Sequence, residues 1–166
     1  HFDGIRFDAV SNLIYWKGNK QAGENDGAIS FMRRMNYLLH KKHPTIMTIA
    51  EDSSDYMGVT KDTLEGGLGF DYKWDLGWMN DTLKYYKRDP IYRKYHHNDL
   101  TFSMAYFYSE KFLMPLSHDE VVHLKCSMVN KMPGYQVDKY ANLRTGYTFM
   151  FGHAGKKLLF MGQEFG

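Results

Sequence analysis

The 166-residue sequence has one cysteine, four prolines and no uncharged apolar run approaching the roughly 18 residues of a membrane span. Cys126 has no partner for an internal disulfide, which excludes a disulfide-stapled scaffold and fits a reducing compartment, with the cytoplasm as the default. The most apolar stretches, TFMFGHAG and KKLLFMG, are short and separated by lysines, so no membrane partner is expected. Charge of one sign is lacking too. The 21 basic and 19 acidic side chains leave a net charge of +2 and are mixed along the chain, without the basic footprint that nucleic-acid binding requires. No glycine-rich phosphate loop stands between a strand and a helix, and low-complexity segments and fixed-period repeats are absent. The opening HFDGIRFD has neither the form of an initiator region nor that of a signal peptide, and LLFMGQEFG stops just after a strand-like run, with no capping helix or polar tail to follow. Both ends are expected to be cuts through a larger protein.

What is present is core material, 43% hydrophobic and 16% aromatic, enough for about one domain. Its apolar runs end in a recurring way: HFDGIRFDAV on Asp8, TIMTIAEDSSD on Glu51, FLMPLSHDE on Asp119 and Glu120, and KKLLFMGQEFG on Glu164. Strands are predicted over 4–10, 45–51, 69–75, 112–117 and 157–161. Their near-continuous apolar character is that of parallel strands covered on both faces. Between them, AISFMRRMNYLLHKK places Ile29, Met32, Met35, Leu38 and Leu39 at helical spacing, with Asp26 as its cap and His43-Pro44 as its stop. A second long helix is predicted through VDKYANLRTGYTFMFGHAG. Residues 13–28 and 93–101 read as polar loops.

The intervals from Asp8 to Glu51, 43 positions, and from Asp119 to Glu164, 45 positions, each suit one strand-helix-strand step. The 68 positions from Glu51 to Asp119 need a further strand near Phe70. Five strands in succession follow, with the acids at their carboxyl ends, where an α/β barrel builds its active site. An open doubly wound sheet would place ligands at the same ends, so the pattern alone leaves both open.

Converging carboxylates suit hydrolysis or transfer at an acetal carbon, where one acid protonates the leaving oxygen and another attacks. Arg6, two residues before Asp8, faces the same side of an extended strand, so its guanidinium is expected to keep Asp8 ionised as a nucleophile. Glu51 has no cation nearby in sequence, and an apolar setting would keep it protonated as the acid. A zinc site is the rival reading of HDEVVH. There Asp119 replaces the first histidine of the HExxH pattern, and His118 and His123 diverge by about 140° on a helix, so no metal is expected. His96 and His97 point apart. Among the aromatics, Trp74 is the expected ligand wall, while Trp78, Tyr85 and Tyr86 are expected to pack.

DGIRFDAV, TIAEDSS and PLSHDE resemble the motifs that the α-amylase superfamily carries at its fourth, fifth and seventh barrel strands. GLGFDYKWDLGWMNDTL, PLSHDEVVH with KMPG, and ANLRTGYTFMFGHAGKKLLFMGQEFG resemble the bacterial glycogen branching enzymes in particular, over nearly the whole chain. The resemblance implies an α/β fold, the carboxy-terminal half (strands four to eight) of a TIM-type (β/α)8 barrel, with residues 1–166 forming part of a catalytic domain. Strands one to three, an amino-terminal carbohydrate-binding module and a carboxy-terminal β domain would lie outside it.

It further implies Asp8 as the nucleophile of a retaining mechanism, Glu51 as general acid/base and Asp119 as the carboxylate that distorts the sugar and stabilises the transition state. Arg6 and His118 would contact sugar, no cofactor is needed, and the partner is an α-1,4-glucan whose cleaved chain passes to a 6-hydroxyl. The exposed barrel edges would invite self-association. Two departures are Leu124, where the family commonly has glycine, and Gln163, where asparagine is expected. An amylolytic hydrolase of the same superfamily, or a non-catalytic glucan-binding half-barrel, would carry the same three acids.

Overall fold

A computed structural model describes residues 2–122 and 124–166. Five strands lie in one sheet in chain order: β1 (Gly4–Phe7), β2 (Met47–Ala50), β3 (Tyr72–Trp74), β4 (Phe112–Leu116) and β5 (Lys156–Leu159). The fold is α/β, and this strand order is that of half a (β/α)8 barrel. Each predicted strand is found, the first four shortened and the fifth beginning one residue earlier and ending two earlier than predicted. The chain divides into two compact units, His1–Trp74 with Phe107–Phe112, and Asp75–Tyr106 with Leu113–Gly166.

In the first unit β1 pairs in parallel with β2, Gly4 opposite Met47 through Phe7 opposite Ala50, and β2 pairs with β3. A short helix α1 (Ser11–Ile14) and the long α2 (Asp26–Lys42) connect β1 to β2. The cap of α2 is Asn25 rather than Asp26: its Oδ1 accepts the Ala28 N–H at 3.2 Å, while Asp26 sits in the first turn, where its negative charge is favoured by the positive end of the helix dipole. The helix ends at Lys42, ahead of Pro44 as expected.

Of the predicted apolar stripe, Ile29 and Met32 are buried, but the next inward position is Asn36, fully buried, with Nδ2 donating to the Leu68 carbonyl at 2.7 Å. Met35 is partly buried against that core and, with Phe31, Leu38 and Leu39, also lines an open apolar groove. The core of this unit gathers Val10, Ile14, Tyr15, Ile29, Met32, Ala50, Val59, Leu68 and Phe70. Its long loop is pinned by Glu110, whose carboxylate accepts the backbone N–H of Gly58, Val59 and Thr60 at 2.7, 2.9 and 2.8 Å.

In the second unit β4 and β5 are parallel, with Leu113 opposite Lys156 through Leu116 opposite Leu159. Helix α3 (Leu76–Lys87), the short α4 (Pro90–Arg93) and α5 (Asn98–Thr101), and the long α6 (Gln136–Gly152) complete it. Trp78 and Tyr86 pack in its core with Met114, Leu116, Leu143 and Met150, and Tyr85 lies against that core, as expected. Arg93 closes the end of α3: it donates to the carbonyls of Tyr86 at 2.8 Å and Arg88 at 3.1 Å, and to Asn142 of α6 at 2.7 Å. Such a cation at a helix carboxyl terminus satisfies carbonyls that lack intrahelical donors.

Neither polar stretch is a featureless loop. Residues 13–28 contain part of α1, two 3-10 turns and a bridge between Tyr15 and Glu24, and residues 93–101 contain α5. Local polarity hid these because each is a single turn, too short to show a period.

Candidate active site

Asp8 and Glu51 stand one step beyond the paired residues of β1 and β2, and the ladder carries on past them. The Glu51 N–H donates to the Phe7 carbonyl at 2.9 Å, and the Val10 N–H donates to the Glu51 carbonyl at 2.8 Å. Ala9 between them turns the chain away with φ +45°, an unusual conformation for a residue with a side chain. The backbone thus holds the two acids on neighbouring strand ends while the chain turns toward α1.

Their side chains share one cation. Arg6 Nη1 donates to Asp8 Oδ1 in a short ion pair and to Glu51 Oε2 at 2.8 Å. The strand alternation expected for Arg6 and Asp8 accounts for the first contact. The second corrects the expectation of an apolar, cation-free setting for Glu51: pairing of β1 with β2 brings Arg6 to it across 45 positions of sequence. One nitrogen bonded to both acids keeps their acceptor oxygens within two hydrogen-bond lengths, about 6 Å at most. Asp8 is open to solvent, its side chain 78% exposed, and Glu51 is largely covered at 20%.

Trp74 has a different surrounding from the open sugar wall expected of it. It is 3% exposed, and the Arg6 guanidinium lies 4.9 Å from its ring centroid, so its face carries the arginine. Neighbouring Lys73, which sequence reasoning passed over, donates to Asp52 Oδ2 at 2.7 Å and to the Ser54 carbonyl at 2.9 Å. Its one signal in sequence is a lysine set between aromatics in a buried strand, YKW.

In the second unit, the acids that end β4 divide their tasks. Glu120 is buried and closes a capping box: it accepts the Ser117 N–H, while Ser117 Oγ accepts the Asp119 N–H at 3.2 Å. Asp119 is half exposed, with Oδ1 3.2 Å from His118 Nε2, and Lys125 Nζ donates to its carbonyl at 2.8 Å. Phe160 flanks the His118 ring at 5.9 Å between centroids. Gln163, buried, donates to the Ser117 carbonyl at 2.8 Å, and Tyr147 donates its hydroxyl to the Gln163 carbonyl at 2.6 Å. Burial pushes the Tyr147 hydroxyl up to about 12, with Glu164 adding to the effect. It therefore stays a donor at any physiological pH. The strand-end acids are in this way one exposed carboxylate and one capping residue.

His123 of the HDEVVH string lies outside the described residues. Among the described residues no group of three or more His, Cys, Asp or Glu side chains is arranged to hold a metal ion.

No protein-family model matches the chain. Along its whole length it is similar to proteins named 1,4-alpha-glucan branching enzyme. It is 53% identical to that of Corynebacterium diphtheriae over 176 aligned positions, 100% of this chain and 24% of the relative. It is 54% identical to a second from Clostridium perfringens strain SM101 and to a third from Fusobacterium nucleatum, covering 27% of each. By sequence the chain belongs to the 1,4-alpha-glucan branching enzyme family. It spans about a quarter of the length of these curated relatives.

Among solved structures, a crystal structure of an alpha-amylase from Lactobacillus plantarum matches with a TM-score of 0.57 and 22% identity, over 98% of this chain and 35% of that one. That likeness speaks for the fold alone. Against the branching-enzyme pattern, Leu124 is the instructive departure: it adopts φ +69° on the surface, a conformation that favours the glycine expected there.

Proposed function

We propose that this chain is part of the catalytic barrel of a retaining 1,4-α-glucan branching enzyme. In this reading Asp8 attacks the anomeric carbon of an α-1,4 link while Glu51 gives its proton to the departing 4-oxygen. The donor chain is then held as an ester on Asp8. Glu51, now ionised, takes the proton from a 6-hydroxyl of an acceptor glucan, whose oxygen displaces Asp8 and forms the α-1,6 branch. Asp119 supports the cationic transition state, and Arg6 and His118 bind sugar. The rest of the barrel, a carbohydrate-binding module and a β domain belong to the full-length protein, a cytoplasmic enzyme of glycogen synthesis.

The observation that carries this reading is Arg6 Nη1 bonded to both Asp8 and Glu51. A retaining pair needs carboxyls about 5 to 5.5 Å apart, whereas an inverting pair leaves 6.5 Å or more for a water. Two oxygens on one nitrogen, at most about 6 Å apart, favour the closer arrangement. The arginine would also orient the Asp8 carboxylate for nucleophilic attack.

Branching rather than hydrolysis rests on the relatives, since the acids are common to both. Incubating the full-length protein with linear glucan and counting α-1,6 links against new reducing ends tests it. Branching yields links without a matching rise in reducing ends; a rise in reducing ends without branches would make the protein a hydrolase.

A further inference from the structure

Strand β3 carries no acid, yet its side chains hold the turn after Glu51 and the arginine that Asp8 and Glu51 share. Asp52, directly after Glu51, has its side chain fully buried, and its partner Lys73 is 8% exposed. The pair is well satisfied. Asp52 accepts Lys73 Nζ at 2.7 Å and the Ser54 N–H and hydroxyl at 3.0 Å each, while Lys73 spends a second donor on the Ser54 carbonyl at 2.9 Å. One ammonium therefore clamps the turn 52–54 at two points. The next residue of β3, Trp74, carries the Arg6 guanidinium that touches both acids.

Burying two charges recovers little net stability, and apolar residues of similar size commonly serve a core as well or better. What an ion pair adds is direction, since a hydrogen-bonded ammonium fixes where its carboxylate sits and a packed methyl does not. The Glu51 backbone is held on one side by the ladder to β1, through Phe7 and Val10. The only side-chain cation bound to the turn that follows it, among the described residues, is Lys73.

Resting on the retaining reading above, we propose that Lys73 is a positioning residue for the acid/base Glu51, acting through Asp52 and the 52–54 turn. Lys73 touches no reacting atom. Its loss lets Glu51 shift relative to Asp8, and a displacement of about 1 Å at a reacting group costs on the order of 100-fold in rate. The loss falls on the steps in which Glu51 gives or takes a proton and spares formation of the glycosyl-enzyme from a donor that needs no protonation.

The test uses full-length protein carrying Lys73→Met, and the double variant Lys73→Met with Asp52→Asn, which leaves no lone buried charge. Each is assayed on linear α-1,4-glucan and on a maltooligosyl fluoride, whose leaving group needs little protonation. The expected result is kcat on the glucan down on the order of 100-fold with KM nearly unchanged, and the first-turnover release of fluoride that forms the glycosyl-enzyme down less than about 5-fold, in both variants.

Equal losses on the two donors, or a double variant restored to full rate on glucan, would overturn the proposal. So would failure of both variants to fold, since the pair would then be a folding element. A crystal structure of the double variant reads the position of Glu51 without any turnover. An unmoved Glu51 refutes positioning, whereas absence of glucan transfer in the unsubstituted protein refutes the functional reading instead.

Discussion

At the scale of the residue, the roles proposed for Asp8 and Glu51 differ in what their amides should do. Asp8→Asn keeps the shape and a hydrogen-bond acceptor for Arg6 but cannot form the ester, so the full-length protein should lose branching by at least about 1,000-fold while still binding glucan. Glu51→Gln should instead form the glycosyl-enzyme from an activated fluoride donor and accumulate it, visible by mass spectrometry as a covalent adduct on Asp8. Full activity in either variant would reverse the assignment.

Leu124 allows a prediction of the other kind. A side chain at φ +69° costs about 1 kcal/mol, and glycine's greater unfolded-state freedom returns part of that. Leu124→Gly should therefore raise stability by about 0.5 kcal/mol, read as a small increase in the midpoint of thermal unfolding. Asp8 and Glu51 were legible in sequence because each sits where an apolar run stops, and Leu124 through the resemblance alone. Lys73 and Asp52 were not: their partnership spans 21 positions, and a buried lysine looks locally like any strand interruption.

At the scale of the element, α3 shows how a strand end becomes a helix start. Asp75 Oδ1 accepts the Trp78 N–H at 2.9 Å and the Tyr106 hydroxyl at 2.7 Å, so one oxygen both caps the helix and anchors a residue 31 positions further along the chain. Burial raises the Asp75 carboxyl above the usual carboxylate range, and these two donors only partly oppose it. The folded protein thus keeps this proton to a higher pH than the unfolded chain. Between the ordinary value near 4 and the raised one, stability falls as pH rises, and above that window the ionised group is a standing cost.

Asp75→Asn keeps the acceptor and removes the charge, so at pH 7 it should be at least as stable as the parent. Below about pH 4 the two should converge. Asp75→Ala should lose about 1 kcal/mol at pH 7 through the cap alone. An asparagine variant clearly less stable than the parent in neutral denaturant titrations would mean that burial is not the governing cost.

The strands and the two long helices were readable because their periods run for several residues and proline or glycine ends them. The cap of α2 was misread by one position because Asn25 and Asp26 are both capping residues, and only geometry tells which oxygen reaches Ala28.

At the scale of the whole molecule, the recurrence of acids at strand ends made the α/β class readable, and the choice of a barrel over an open sheet came from the resemblance. The strand order carries a consequence for the chain alone. β1 and β5 are the terminal strands of the sheet, each paired with one neighbour, and an unpaired strand edge is a template for another chain. Ile5 on β1 is 45% exposed, and Phe31, Met35, Leu38 and Leu39 form an apolar groove along α2. Closing a barrel would remove both edges. The 166-residue chain by itself is therefore expected to self-associate, with a mass by light scattering of at least twice its 19.5 kDa. Asp8, Glu51 and Asp119 would all be present in such an assembly, but the positioning contacts from the rest of a barrel would not. Orientation of bound substrate supplies several kcal/mol of a typical barrier, so branching by the isolated chain should fall at least about 1,000-fold below the full-length enzyme. A stable monomer that branches linear glucan at the full-length rate would show that these 166 residues position the substrate unaided, and would overturn the reading of the chain as part of a larger catalytic barrel.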